Sequence, residues 1–320
     1  MQTTTKLSRA NKGKEKIVLL IIIAIQVFML IYVGFQKKEY HIDEIYSYIL
    51  SNSYDTDRIS HADWMWNNWI SGESFQDFIT VQEGERFAYS AVYRNNSMDC
   101  HPPLFYWILH TICSFMPNSF SKWFGLLMNI VLFVISEIFI YLISDELMKS
   151  YKWKFIPIVM WGFSSFAVDT CTFIRMYMLL TTITVCFVYL HVKMFRYGIT
   201  VSRMLPIWGV IYLGAMSHYY SLIVSFWSVL LFSLYLLRKK EIKSMFIYGF
   251  GACISVGLMI LNYPYVFEQV TGSSTNNVGN QIAKNLFNFK LWIDQLKNLG
   301  IALIKNISYH KKISKLIILT

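Results

Sequence analysis

Charged residues are scarce in this 320-residue chain: Asp, Glu, Lys and Arg make up 15% of it, against 55% hydrophobic and 17% aromatic residues. Soluble domains carry about a quarter charged residues, so an ordinary water-soluble fold is excluded and lipid is expected as the main solvent. Acids are the scarcer sign, 19 against 29 Lys and Arg, for a net charge of +10. A nucleic-acid binder gathers its cations on one solvated face, whereas here they recur in short clusters between apolar runs, so no nucleic-acid partner is expected. The five cysteines (100, 113, 171, 186 and 253) form no C-x-x-C pair of the metal-binding type. Those within apolar spans are expected to pack as core, and Cys100 with Cys171 is the one disulfide weighed. The first apolar run also lacks a small-residue cleavage site, since it ends Tyr32-Val33-Gly34-Phe35-Gln36. It therefore reads as a retained anchor rather than a signal peptide.

What the sequence does contain is long apolar runs, at 17 to 35, 103 to 116, 123 to 143, 155 to 168, 176 to 192, 205 to 237 and 245 to 261. Crossing a bilayer takes about 20 residues. The run at 205 to 237 is long enough for two spans hinged at Ser217-His218-Tyr219-Tyr220, whereas 103 to 116 is short and opens with His101-Pro102-Pro103. With the latter set aside as an interfacial helix, seven crossings result, and 15 of the 29 Lys and Arg fall on the cytoplasmic side. Counting it as a crossing inverts that bias.

The expected fold is all-α: a polytopic helical membrane protein with an extracytoplasmic first loop of amphipathic interfacial helices. Its parts are a cytoplasmic tail at 1–16, a first transmembrane helix at 17–35, an extracytoplasmic segment at 36–122, a six-helix bundle at 123–261, an extracytoplasmic loop at 262–300, and at 301–320 the start of a further membrane segment that reads as truncated. The plasma membrane is the expected location, with the amino terminus cytoplasmic and the active face outside.

Eleven of the 19 acids lie between Gln36 and Cys100, interspersed with Trp64, Trp66, Trp69, Ile70, Phe75 and Phe78. That mixture fits short amphipathic helices on a membrane surface. In His41-Ile42-Asp43-Glu44 two carboxylates follow the first span by about two helical turns. Such groups can take a proton from a hydroxyl or hold a divalent cation, and Asp43 is equally suited to cap a helix. His101 couples a titratable ring to a rigid helix start, because proline is tolerated in the first helical turn. Arg175, at the mouth of its span in Ile174-Arg175-Met176-Tyr177, either snorkels to the interface or binds an anion such as phosphate. His218, followed by Tyr219, is either an aromatic packing residue or part of the same site. The charge-derived topology puts Asp43, Glu44, His101, Asp169, Arg175, His218 and the 262–300 loop on one face. Glu137, His110 and His191 are assigned to structural pairing within the apolar segments.

The order Asp43-Glu44 after the first span, then His101-Pro102-Pro103-Leu104 with aromatics, Arg175-Met176-Tyr177 and His218-Tyr219 resembles the GT-C glycosyltransferases. The likeness is to the branch of protein O-mannosyltransferases, aminoarabinose transferases and bacterial dolichyl-phosphate-mannose-mannosyltransferase-like proteins, over roughly residues 17 to 270. It implies a polyprenyl-phosphate-linked sugar as donor, a glycan, lipid or protein acceptor outside the cytoplasm, and Asp43 as the base of an inverting displacement. It further implies Glu44 beside Asp43 in the catalytic pair, and His101, Arg175, His218 and Tyr219 at the donor phosphate or substrate. Two departures stand out: Cys171-Thr172-Phe173-Ile174 lacks the acid that relatives carry two residues before the arginine, and members have further spans after residue 320. The rival reading, a transporter or flippase without transferase activity, predicts ionisable residues near the middle of spans and an internal repeat. Neither stands out in the sequence.

Overall fold

The computed structural model of the chain describes residues 2–54, 69, 71–271 and 288–308. Among these every regular element is a helix: α1 (Gln2–Gln36), α2 (Ile42–Asn52), α3 (Gly72–Ile79), α4 (Tyr89–Ser97), α5 (Leu104–Ser114), α6 (Lys122–Leu147), α7 (Ile156–Gly162), α8 (Ser165–Thr172), α9 (Tyr177–Tyr197), α10 (Val201–Ser217), α11 (Tyr220–Arg238), α12 (Ile242–Asn262), α13 (Val266–Thr271) and α14 (Phe289–Ser308). Five stretches are long and apolar enough to cross a membrane: Gly13–Gln36, α6, α9, α11 and α12. A sixth is broken, because the segment formed by a short 3-10 turn with α7 meets α8 at a 51° bend. At 17 residues, α10 rises about 26 Å, close to the hydrocarbon thickness, and it packs between α9 and α12. The long run at 205 to 237 thus splits at His218-Tyr219 into α10 and α11, where the polar hinge predicted a break.

The spans are apolar on all sides, and most of each one's surface is left uncovered by protein. Leu20, Phe28, Leu231 and Phe250 are each more than 60% exposed. In water these would form patches far larger than a monomer tolerates; in lipid they are solvated. The chain is therefore a multi-pass helical membrane protein.

The ends of the spans sort into two groups. At one end, Lys154 bridges Glu15 of α1 and Asp145 of α6, Tyr141 donates to Glu15 at 3.1 Å, and Glu146 receives both Tyr197 and Arg196 from the end of α9. At the other end the helices of residues 42–114 form a cap. The interfacial helices expected there bury their apolar faces on one another and on the span ends rather than lying loose: Tyr48, Val92, Phe105, Tyr106 and Leu109 share one core with Leu126 and Ile174, all almost fully buried. Each such side chain contributes roughly 1.5–3 kcal/mol by leaving water. Helix α5, with only 11 residues, is too short to cross a bilayer by itself and packs on α2 and α4 in this cap. The tryptophans split: Trp69 is fully exposed, while Trp64 and Trp66 lie outside the described residues, as do 272–287 and 309–320.

Two small details let the cap dock. The Tyr48 hydroxyl donates to Ser121 O at 2.8 Å and accepts from Gly125 N at 3.2 Å, pinning α2 to the first turn of α6. At Gly125 a Cβ would stand 2.2 Å from Ile174 Cγ2, so only glycine lets α6 approach the α8–α9 connection this closely. All five cysteines are free, so no Cys100–Cys171 disulfide forms; Cys171 is buried and Cys100 exposed.

Candidate functional site

Between α8 and α9 the backbone leaves the helical path at Phe173, Ile174 and Arg175, and three contacts hold this connection in place. Asn129 of α6 donates to the carbonyls of Cys171 and Phe173, both at 3.0 Å. Glu44, fully buried, accepts from Ile174 N at 2.8 Å through Oε1. Its Oε2 receives His41 N at 2.8 Å and Lys37 Nζ at 2.9 Å. His41, not Asp43, is the cap of α2: its Nδ1 accepts from Asp43 N at 3.2 Å, and Glu44 closes the capping box. Glu44 was expected beside Asp43 as a catalytic group. With all its acceptor contacts made inside the protein, it is a tether between α2 and the connection.

That connection presents Arg175. The guanidinium is 6% exposed, and Nη1 donates to the carbonyl of Asp43 and to the Tyr106 hydroxyl, each at 3.3 Å. Its Nε has no partner among the described residues. An arginine buried in this way, with a donor unused, does not snorkel. It is a cation held in position with bonding capacity in reserve.

Facing it is the turn between α4 and α5. Asp99 Oδ2 and His101 Nδ1 are 2.8 Å apart, with Cys100 Sγ 3.3 Å from the same nitrogen. Burial works against the charge on His101, but the bonds to Asp99 and Cys100 outweigh it and push the imidazole up to about 9. For Asp99 burial is likewise outweighed, by the His101 bond and charge and by the Arg175 guanidinium, and its carboxyl is held below the usual range. His218 lies with its ring centroid 5.6 Å from that of His101. Burial, then the charges of His101 and Arg175, drive it down to about 4. Its Nδ1 accepts from Tyr220 N at 3.1 Å, which leaves the proton of the neutral ring on Nε2. At neutral pH the two histidines therefore stand side by side as one cation and one neutral ring.

Tyr219 donates to Gln269 Oε1 of α13, and Gln269 Nε2 donates on to Tyr263 at 3.0 Å and to Asn96 O at 2.8 Å. Helix α13 thus ties the turn before α11 to the end of α4. Burial pushes the Tyr219 hydroxyl up, so it stays a donor.

Asp43 is the open member of the group. Its carboxylate is 43% exposed and 3.6 Å from His41 Nδ1. From there a row of rings runs inward: His41 to Phe173 at 5.5 Å, Phe173 stacked on Tyr177 at 6.0 Å, Tyr177 to His218 at 6.0 Å, and His218 to His101. An open cleft of about 410 Å³, lined by Lys37, Asp169, Thr172, Phe173 and Tyr177, flanks this row. Asp43, Glu44, His101, Asp169, Arg175, His218 and Tyr219 are thus at one end of the bundle. Asp43, Arg175, His101, His218 and Tyr219 ring the site; Glu44 lies beneath it and Asp169 beside it.

For a divalent cation the sequence offers Asp43 and Glu44; of these Glu44 is committed to Ile174, His41 and Lys37, and Asp43 is open. Among the described residues the one set of three or more His, Cys, Asp or Glu whose donor atoms converge is Asp99, Cys100 and His101, within 4.8 Å of one another. Without a metal the three form a charge pair, His101 bonded to Asp99, and a cation held there would have to displace the imidazole proton. Sequence reasoning missed Asp99, Tyr106, Tyr177 and Gln269. Only Asp99 carried a signal, its spacing two residues before His101.

Elsewhere the structural assignments divide. His191 bridges Phe187 O at 2.8 Å and the Tyr248 hydroxyl at 2.7 Å, tying α9 to α12, and His110 is buried in the cap. Glu137, expected to pair, has no partner among the described residues.

No protein-family model matches the chain, and no curated protein or solved structure is significantly similar to it. Fold and site together define a multi-pass helical membrane protein with a buried cationic centre at one end of its bundle.

Proposed function

We propose that the protein is a membrane glycosyltransferase of GT-C type that moves a sugar from a polyprenyl-phosphate donor to an extracytoplasmic acceptor. The observation that carries this reading is Arg175: nearly buried, held by Tyr106 and the Asp43 carbonyl, with Nε unpartnered. With cationic His101 nearby, it forms an anion seat next to an open carboxylate. The donor phosphate sits on Arg175 and His101. Asp43 takes the proton of an acceptor hydroxyl, the oxygen attacks the anomeric carbon from the opposite face, and the bond from that carbon to phosphate oxygen breaks. The electron pair leaves on the polyprenyl phosphate, whose charge the two cations stabilise. His218, donating from Nε2, and Tyr219 contact the sugar. The uncovered apolar flanks of the spans suit a polyprenyl chain. In the plasma membrane the basic end of the bundle, with Lys149, Lys152 and Lys154, lies in the cytoplasm, and the site faces outward.

The test is to incubate the purified full-length protein with a panel of polyprenyl-phosphate sugars and measure release of the lipid phosphate. Release that Asp43→Asn abolishes is the expected result; undiminished release by Asp43→Asn overturns the assignment.

One observation favours the second reading, a lipid or glycan transporter: Glu137 is an ionisable residue buried within a span, beside a broken helix. Transport of the donor across vesicles, with no lipid phosphate released, decides for it.

A further inference from the structure

Glu137 lies in the interior of α6 and is fully buried, with no hydrogen-bond partner among the described residues for either carboxylate oxygen. Against it packs Gln26 of α1, also fully buried, whose Nε2 donates to Ile158 O at 3.0 Å and whose Oε1 is likewise unpartnered. The two side chains converge on Gly162, the last residue of α7. A Cβ there would stand 2.1 Å from Gln26 Nε2 and 2.6 Å from Glu137 Oε1. Glycine at this position leaves room for both polar ends, at the 51° bend where the span breaks.

The two side chains that meet at Gly162 thus carry three oxygens without donors inside the membrane, next to the carbonyl end of a helix, which itself attracts positive charge. No Lys, Arg or His bonds to Glu137 among the described residues. An ionised carboxylate buried there without a counter-charge is too costly to persist. We propose that Glu137, Gln26 and the break after α7 form a binding site for a small monovalent cation, a sodium ion or a proton, within the membrane. A sodium ion would take its hard oxygen ligands from the Glu137 carboxylate; a proton would sit on that carboxylate. Either supplies the missing charge.

The site is independent of the proposed transferase activity, and so is its test. Thermal unfolding of the full chain in detergent is followed at fixed ionic strength, with sodium exchanged for choline, from pH 6 to 9. A ligand of the folded state raises the melting temperature with the logarithm of its concentration. If sodium is the occupant, the wild type melts higher as sodium rises. If a proton is, sodium does nothing and the melting temperature of the wild type falls with rising pH relative to Glu137→Gln. In both cases Glu137→Gln, which keeps the shape and removes the charge, loses the dependence. Gly162→Ala, which crowds the site, shifts the midpoint to higher sodium or lower pH. Wild type and Glu137→Gln responding identically to sodium and to pH overturns the proposal.

Discussion

Glu44 Oε1 accepts the backbone N–H of Ile174 at 2.8 Å, a bond that joins residues 130 apart in the sequence. Through it a carboxylate in the cap fixes the one irregular stretch that carries Arg175. Glu44→Ala leaves Lys37 and the Ile174 amide without their acceptor. The expected loss is roughly 3–5 kcal/mol of stability, measured as a lowered unfolding midpoint, together with lost activity. A variant as stable as the wild type sinks the tether.

Asp43→Asn behaves in the opposite way. The side chain is half-exposed and its carboxylate accepts no short hydrogen bond among the described residues, so stability should change by less than about 0.5 kcal/mol while sugar transfer is nearly abolished. Activity and melting temperature measured on one preparation separate the two residues.

Arg175→Lys keeps the charge but loses the fork that reaches both Tyr106 and the Asp43 carbonyl. Losing one charge-assisted bond weakens donor binding by roughly 10- to 100-fold, read as a raised KM for the polyprenyl-phosphate donor. An unchanged KM removes Arg175 from the phosphate seat.

The Asp99–His101 pair sets a pH window. His101 is raised from its ordinary value near 6.5 to about 9, so its stabilising charge is fully present below about 6.5 and is lost as pH rises through about 9. His218, lowered to about 4, is neutral throughout this window; as pH falls from about 6.5 towards 4, its protonation in the unfolded chain erodes stability. Donor binding should therefore decline as pH passes about 9. In Asp99→Asn the decline should begin at lower pH, which donor titrations at several pH values will detect.

Gly125→Ala tests the docking of the cap. The added methyl meets Ile174 at 2.2 Å, and relief requires moving the connection that carries Arg175. An overpacking loss of about 1–3 kcal/mol is expected, along with weaker donor binding. A silent substitution shows that the connection moves freely.

Much of this architecture is legible in the sequence because lipid is an undemanding solvent to read. Apolar length alone marks the spans, and the polar Ser217-His218-Tyr219-Tyr220 marks the break between α10 and α11. Adjacent acids are harder. Nothing in Asp43-Glu44 tells which carboxylate turns inward, since that depends on Lys37 one side and Ile174 far along the chain. Capping was foreseen for α2 but assigned to Asp43, whereas the cap is His41 with Glu44 returning to its amide. Glu137 was assigned to structural pairing within its apolar segment, yet its neighbours, Gln26 and Gly162, come from elements whose register no local pattern specifies.

The partners of Glu44 also become available in a fixed order during synthesis. Lys37 and His41 lie within seven residues and are available at once, whereas Ile174 emerges 130 residues later, on the order of ten seconds at typical elongation rates. The nearby lysine is thus the first partner the acid can find, and the long-range bond to Ile174 can close only after α6 and the broken span have been made.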